Sequence, residues 1–420
     1  MYQKTTLDNG LRIVTAPMPH TQSVSLSVFV GAGSRYETEA ESGISHFIEH
    51  LSFRGTQRRP TPQEISRAIE GVGGILNAST DRELTVYWCK VARKHFDLAL
   101  DVLADMLLHS RFDAEDIAKE GQIITEEINM GKDSPAQHVN ILIDELLWPR
   151  HPLGRDIAGS KESVAAMTRG MMLSYMGSHY LPAGTVIAVA GNVRHQETVE
   201  AISRVLGDWT SRLCRAECLP YEEQPAPRLR IEARDTEQAH LCLALPGLAH
   251  LHPQRFVLDL LNVILGEGMS SRLFSEIRDK LGLAYSIHSY MEHLLDTGSM
   301  VVYAGVEPRR LSLAVTAILG QLGRLKEGVP QSELDKAKEQ SKGRLLLRME
   351  DSRNVAGWIG GQEILTERIL GMEQVLSIID AITADELGRL AGELLLARQL
   401  RLAVVGPISD GEGLKELLEF

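Results

Sequence analysis

The sequence has 420 residues, of which 44% are hydrophobic and 24% charged, and these proportions are typical of a soluble globular protein with more than one domain. A formal net charge of −12 at pH 7 argues against nucleic acid as a partner, because a phosphate-binding surface needs clustered lysine and arginine. No run of about 18 apolar residues occurs, so we expect no membrane-spanning helix.

The chain begins with a strand pattern and not with a targeting pattern. "LDNGLRIV" carries the Asn-Gly dipeptide of a tight hairpin turn, and the alternation in "SVSLSVFV" (residues 23–30) predicts a strand. The N-terminal residues have neither the apolar core of a signal peptide nor the arginine content of a transit segment. We therefore expect a protein without a leader peptide, located in the cytoplasm.

The order of predicted elements repeats along the chain. Two stretches predict a strand, a basic turn and an amphipathic helix, namely residues 85–112 and 299–325. Two others predict an apolar strand that continues through glycine into a helix, namely residues 183–206 and 397–420, and each follows a helical stretch, 161–180 and 373–396. The repeat predicts an α+β fold of two homologous domains related by pseudo-symmetry. Each would be a mostly antiparallel sheet with helices packed on one face.

A polar segment with three prolines joins the two copies. We predict an N-terminal domain at residues 1–210, a linker at 211–228 and a C-terminal domain at 229–420. The four cysteines of the chain are too few for a disulfide framework. Cys214 and Cys218 lie four residues apart in the linker, but no second Cys or His pair follows at a suitable spacing. We interpret them as ordinary thiols.

The stretch "SGISHFIEHLSFRGT" (residues 42–56) carries the main chemical pattern. His46 and His50 are four residues apart on a predicted helix, so both imidazoles lie on one face, and Glu49 projects from nearly the same face. Histidine pairs of this spacing also occur on solvated helices, but imidazole pairs suit zinc. The order His-x-x-Glu-His reverses the zincin motif and is that of the inverzincins. The second half has no counterpart of this motif, so a zinc site is predicted in the first half alone.

With these motifs the chain resembles the inverzincin metallopeptidase family that includes pitrilysin, insulin-degrading enzyme and mitochondrial processing peptidase. In that family the third zinc ligand lies about 76 residues beyond the second histidine, which implies Glu127. The adjacent Glu126 is the competitor, and it should point about 100° away on the helix. Glu120, two turns before Glu127, matches the accessory glutamate that orients the site. Without the resemblance, a solvated surface charge would be the better interpretation of Glu120.

The resemblance extends over nearly the whole chain and implies how substrate binds. "ILNASTDRELTVYW" would include an exposed sheet edge to which an extended peptide adds as a further strand, with Asn77 and Ala78 as substrate-binding residues. Phe53 matches an aromatic that lines the pocket beyond the scissile bond, although core packing would be preferred from the residue alone. In "IRDKLGLAYS", Arg278 and Tyr285 match a pair that holds the substrate backbone and stabilises the oxyanion.

The implied activity is zinc-dependent hydrolysis of peptide bonds, with one Zn²⁺ per chain and Glu49 as the general base. Extended peptides are the implied partners, without nucleic acid or membrane. Longer relatives have four such domains that close around a chamber, so two domains imply a dimer. A homodimer is expected, because this chain has both the zinc motif and the Arg278/Tyr285 pair. Three alternatives stay open: a heterodimer with an inactive relative, a non-catalytic scaffold subunit, and a processing peptidase that cuts at defined sites.

Overall fold

The computed structural model of the protein describes residues 2–210, 218–408 and 411–418. Its strands are β1 (Gln3–Thr6), β2 (Arg12–Pro17), β3 (Ser23–Val30), β4 (Ile75–Thr80), β5 (Thr85–Ala92), β6 (Thr185–Gly191), β7 (Leu229–Ala233), β8 (Ala239–Pro246), β9 (Ala284–His293), β10 (Gly298–Val306) and β11 (Arg401–Gly406). A π-helical segment, Phe274–Lys280, precedes β9.

The helices of the first half are α1 (Ile44–Ser52), α2 (Pro62–Glu70), α3 (Phe96–His109), α4 (Ala114–Asp133), α5 (Pro135–Leu147), α6 (Lys161–Ala166), α7 (Arg169–His179) and α8 (His195–Leu206). Those of the second half are α9 (Arg255–Gly266), α10 (Leu311–Lys326), α11 (Gln331–Arg348), α12 (Ser352–Thr366), α13 (Met372–Ala381), α14 (Ala384–Leu394) and α15 (Glu412–Leu417). In the ranges that the structure describes, no helix combines the length and the apolar character needed to cross a membrane.

The chain forms two compact units, and each is discontinuous in sequence. The described residues of the first unit come from Met1–Ile128, Asp156–Leu219 and Leu346–Gly371. Those of the second unit come from Asn129–Arg155, Pro220–Leu345 and Met372–Phe420. Each unit therefore contains a segment from the opposite half of the sequence.

Each unit is built on one mixed sheet. The sheet of the first unit has the order β1-β2-β6-β3-β5-β4, in which β2 and β6 are parallel and the other neighbouring pairs antiparallel. The second sheet has the order β7-β11-β8-β10-β9, with β7 and β11 parallel and the others antiparallel. The predicted fold class, two homologous α+β halves with mostly antiparallel sheets, is confirmed.

The repeated patterns correspond to repeated structure. The strand–helix pair β5–α3 is matched by β10–α10, and β6–α8 is matched by β11–α15. The predicted hairpin is the antiparallel pair β1–β2, and Gly10 of its turn has a φ of 89°, a left-handed conformation that favours glycine. Cys89 and Cys242 are buried in strands, while Cys214 lies outside the described residues.

Helices cover both faces of the first sheet, which corrects the prediction of helices on one face. One face packs on residues of α1, α2, α3 and α8, and the other packs on α12, which contributes Ala356 and Ile359. In the second unit α5 occupies the equivalent place, with Leu142 and Ile143 against β8 and β11. Every residue of β6 is buried, so its side chains on both sides of the sheet are covered. A strand of this kind needs helices on both faces of its sheet.

Candidate metal centre

Helix α1 holds the His-x-x-Glu-His motif and is anchored at its first turn by a buried carboxylate. Glu37, which is 3% exposed, accepts hydrogen bonds from the backbone N–H groups of Gly43 at 2.7 Å and Ser45 at 2.9 Å. Otherwise these first N–H groups of the helix would lack partners, and a negative charge is favourable at this end of the helix dipole. Phe47 and Ile48 are fully buried in the core of the first unit, so α1 is fixed along its apolar side.

His46, His50 and Glu127 come together in the first unit. The two Nε2 atoms of the histidines are 3.2 Å apart, and Glu127 Oε2 lies 3.8 Å from His46 Nε2 and 3.6 Å from His50 Nε2. Ligands bound at 2.0–2.2 Å around a tetrahedral zinc ion are separated by about 3.3–3.6 Å. The three side chains therefore fit zinc. Across the described ranges, this is the one group of three or more His, Cys, Asp or Glu with such proximity, and it does not include Glu126.

Glu120 orients one of these histidines. It lies two turns before Glu127 on α4 and is 3% exposed, so it is not a solvated surface charge. His50 Nδ1 is 2.9 Å from Glu120 Oε2, and the other Glu120 oxygen contacts the guanidinium of Arg54. An ionised carboxylate can only accept, so with Glu120 ionised His50 Nδ1 would carry the proton and Nε2, which lies 3.6 Å from Glu127 Oε2, would keep its lone pair for a metal.

The protonation state of His46 also suits a metal ligand. Burial, together with the neighbouring His50, lowers the pKa of His46 to about 4, so its imidazole is neutral at pH 7. Its Nδ1 atom is buried and has no hydrogen-bond partner within the described part of the chain. Glu127 is partly exposed, with 43% of its side chain accessible, so the group opens to solvent on that side.

Glu49 lies beside the three candidate ligands and bonds to a neighbouring strand. Thr80 Oγ1 donates a hydrogen bond to Glu49 Oε2 at 2.6 Å. Burial raises the pKa of Glu49 above its usual value, and the hydrogen bond from the Thr80 hydroxyl partly opposes that rise. The charges of His50 and Glu127 also act on this carboxylate. Glu49 is thus a partly buried carboxylate close to the candidate ligands and held in place by another element.

Three of the residues predicted to contact substrate, Asn77, Ala78 and Phe53, belong to the first unit, as the three candidate ligands do. Strand β4 is the edge of its sheet, and Asn77 is exposed on it, with its Oδ1 accepting a hydrogen bond from Ala78 N at 2.8 Å. Ala78 is partly buried against the core. Phe53 follows α1 and is likewise partly buried against the apolar core, the environment expected from the residue alone.

Arg278 and Tyr285 belong to the second unit. The guanidinium carbon of Arg278 is 4.6 Å from the ring centroid of Phe274 and 5.2 Å from that of Tyr285. Tyr285 is 78% exposed at the start of the edge strand β9. Both residues line an open cavity of about 390 Å³. The sequence pair is therefore a contacting pair in space, with its phenol accessible.

Three residues of this region escaped the sequence analysis: Glu37, Arg54 and Thr80. Glu37 contacts the start of α1, Arg54 contacts Glu120, and Thr80 contacts Glu49. Two of the three lie near a position that is recognisable in the sequence. Arg54 is four residues beyond His50, and Thr80 is two residues beyond Ala78 on the same strand. Helical and strand periodicity offered a weak indication for both. Glu37 had no such indication.

Comparisons with known proteins agree with the fold and place the chain in a family of peptidases and related inactive domains. Residues 12–161 match the family Insulinase (Peptidase family M16), and residues 166–341 match the Peptidase M16 inactive domain. The chain belongs to peptidase family M16. "Uncharacterized zinc protease YmxG" of Bacillus subtilis (strain 168) is 35% identical over 97% of this chain and 98% of its own length. "Uncharacterized zinc protease ML0855" of Mycobacterium leprae (strain TN) is 37% identical over 99% and 94%.

Solved structures share the fold over nearly the full chain. A protease from Helicobacter pylori superposes with a TM-score of 0.90 at 24% identity, covering 97% of this chain and 99% of its own. A structure from Pseudomonas fluorescens, described as a peptidase M16 inactive domain, has a TM-score of 0.91 at 18% identity and covers 97% and 98%. At these identities the likeness concerns the fold.

Proposed function

We propose that this protein is a zinc-dependent endopeptidase that hydrolyses extended, unfolded peptides. The observation that carries the proposal is the spacing of His46, His50 and Glu127, which fits one tetrahedral ion per chain, with Glu49 beside it. The relatives named zinc proteases, which are similar over almost their whole length, support the same metal and the same activity.

The chain's own residues supply the proton transfers. Bound zinc would polarise a water molecule and lower its pKa to about 7. Glu49 receives the proton of the attacking water on its carboxylate and delivers it to the nitrogen of the leaving amine. Glu120 holds His50 in one orientation through the bond to Nδ1.

Substrate binding would use the sheet edge at β4. An extended peptide adds to this edge through backbone hydrogen bonds, so that binding makes little demand on sequence, and Asn77 and Ala78 contact its backbone. Phe53 lines the pocket beyond the scissile bond. Arg278 and Tyr285 hold the peptide backbone and stabilise the oxyanion of the tetrahedral state.

The decisive experiment compares the purified wild-type protein with Glu49→Gln on a fluorogenic peptide, before and after chelation and zinc readdition. The wild type should lose its activity on chelation and recover it with zinc. Glu49→Gln should retain about one zinc per chain and lose activity by at least about a hundredfold, because the proton acceptor is gone. Hydrolysis that resists chelation, or substantial activity in Glu49→Gln, would overturn the proposal.

We propose further that the working form is a homodimer in which Arg278 and Tyr285 of one protomer serve the zinc site of its partner. A mixing experiment tests this assignment. The proposal predicts that the homodimers of Glu49→Gln and of Arg278→Ala are both inactive. A heterodimer of the two variants has one site in which both residues are intact. Random mixing should then restore about a quarter of the wild-type activity. Mixtures that stay inactive after subunit exchange would contradict it.

A dimer that closes around a chamber would admit unfolded peptides and exclude folded proteins. We expect rapid cleavage of a reduced, unfolded protein and no cleavage of the same protein when folded. Efficient cleavage of a stable folded protein would rule out the chamber.

Cleavage-site profiling on a peptide library distinguishes a general peptide-degrading enzyme from a processing peptidase, since only the latter concentrates its cuts at defined sites. The cytoplasmic location stays a prediction.

The alternative function is a non-catalytic or partner-dependent subunit of a processing-peptidase-like heterodimer. The match of residues 166–341 to a domain described as inactive is compatible with it. The intact group of His46, His50, Glu127 and Glu49 favours a catalytic chain, because a scaffold has no need for it. Zinc analysis together with the peptide assay separates the two functions.

A further inference from the structure

Thr80 links the sheet edge to the carboxylate of Glu49. It is the last residue of β4, and its hydroxyl donates to Glu49 Oε2 at 2.6 Å. One residue of the edge strand therefore gives a short hydrogen bond to the side chain that the proposed function treats as the general base.

The backbone of β4 explains why Glu49 is reached from this position. In an antiparallel pair, successive residues alternate between bonding to the neighbouring strand and facing away from it. Ala78 N–H donates to the side-chain oxygen of Asn77 at 2.8 Å, which indicates that Ala78 and, two residues on, Thr80 face away from β5. A peptide that adds to the edge would pair with Ala78, and Thr80, whose hydroxyl donates to Glu49, is the next residue that faces the same way.

The hydrogen bond from Thr80 restricts a side chain that would otherwise have several rotamers. A glutamate has three rotatable side-chain torsions, and its carboxylate needs a fixed direction to accept a proton in the transition state. Thr80 engages Oε2, which leaves the second oxygen, Oε1, available for the water. The bond also fixes the carboxylate relative to the strand on which the substrate would be aligned.

We propose that Thr80 is a positioning residue for peptide hydrolysis, which holds Glu49 in register with a substrate strand added at β4. This assignment rests on the proposed function, because it presupposes that Glu49 is the base. Thr80 itself contacts neither the reacting atoms nor the metal in this scheme. It acts through the orientation of Glu49.

Three variants test the assignment. Thr80→Val has nearly the same shape and lacks the hydroxyl, whereas Thr80→Ser retains it. The matched control is Thr56→Val, because Thr56 Oγ1 also donates to a buried carboxylate, Asp105, at 2.6 Å in the same unit. Zinc content, melting temperature, kcat and KM are measured for each on a fluorogenic peptide.

We expect Thr80→Val to lower kcat by about ten- to a hundredfold, since a displacement of about 1 Å at a catalytic group has this size of effect. KM should stay within about twofold and zinc content should not change. Thr80→Ser should restore kcat to within about threefold of the wild type. Thr56→Val should keep the wild-type kcat even if it lowers the melting temperature. A wild-type kcat for Thr80→Val, or a loss that serine does not restore, would overturn the assignment.

A structural measurement keeps this test separate from the test of the proposed function. Crystal structures of the metal-free wild type and of metal-free Thr80→Val show directly where the Glu49 carboxylate lies. The carboxylate should leave its wild-type position or become disordered in Thr80→Val, and an unchanged position would refute the positioning role. If the wild type hydrolyses no peptide in the presence of zinc, the proposed function fails on that result alone.

Discussion

His50 Nδ1 lies 2.9 Å from a carboxylate oxygen of Glu120, a side chain that is 3% exposed. The bond determines which imidazole nitrogen carries the proton and therefore which one faces the candidate metal position. Partners of this kind orient the ligand and increase its basicity, so the structure predicts that metal affinity depends on a residue that does not bind the metal.

Replacing Glu120 with alanine should lower zinc affinity by about 10- to 100-fold, because the His50 ring loses its acceptor. Competition against a fluorescent zinc chelator measures the change. Glu115→Ala is the matched control, since Glu115 is exposed on the same helix and pairs with Lys119. Equal affinities for both variants would mean that Glu120 does not orient the site.

Glu37→Gln should destabilise the protein by roughly 1–3 kcal/mol, because an uncharged amide with one acceptor oxygen replaces a buried carboxylate that satisfies two backbone N–H groups of α1. Urea denaturation of the metal-free protein measures the effect. Glu39→Gln changes an exposed glutamate two residues away and should leave the free energy of unfolding within about 0.5 kcal/mol. A similar small change for Glu37→Gln would contradict the anchoring role.

Much of the fold was predictable because its information is local. The alternation at Ser23–Val30 gave a strand with those bounds, and the repeat gave the equivalence of β5–α3 with β10–α10. The placement of α5 in the second unit and of α12 in the first was not predictable in this way. An apolar helix face has the same pattern whichever sheet it covers, so periodicity cannot tell which sheet it packs on.

The candidate site also contains residues that local spacing predicts and residues that it does not. His46, Glu49 and His50 share a helix face, so their proximity followed from spacing. Glu127 required the family resemblance, because the intervening chain length carries no geometric information. Thr80 meets Glu49 through side-chain bonding across 31 positions of sequence, a contact that depends on how β4 packs against α1.

The close packing of α12 on the first sheet predicts opposite effects for two adjacent glycines. A Cβ atom at Gly360 would overlap the ring of Phe29 and lie 2.8 Å from Ala188 Cβ, whereas a Cβ at Gly361 would meet nothing within 4 Å. Gly360→Ala should therefore lower the free energy of unfolding by about 1–3 kcal/mol through overpacking. Gly361→Ala should raise it by about 0.5–1 kcal/mol through helix propensity. Equal effects in urea denaturation would contradict the packing of α12 on this sheet.

The start of α12 should also give the protein a specific dependence on pH. Asp351 is the N-cap of α12, where it accepts a hydrogen bond from Arg353 N at 2.7 Å, and it pairs with Lys90 of β5 at 2.6 Å. Partial burial would raise the pKa of Asp351, but the Lys90 ammonium and the backbone donors outweigh it and lower the pKa below 3.8. Because folding lowers this pKa, the stabilisation is fully present when the pH is above the pKa of Asp351 in the unfolded chain. It is lost as the pH falls through the pKa of Asp351 in the folded protein.

Two variants separate the charge from the cap at this position. Asp351→Ala should cost about 1 kcal/mol at pH 7, since it removes the cap and the ion pair together. Asp351→Asn should cost less, because asparagine caps a helix about as well as aspartate does. Urea denaturation between pH 7 and pH 3 gives the free energy of unfolding of wild type and of Asp351→Asn. The difference between the two should narrow below about pH 4, because protonation of Asp351 removes its negative charge, which asparagine does not have at any pH. A difference that stays constant over this range would show that the Lys90 pair does not couple α12 to the sheet.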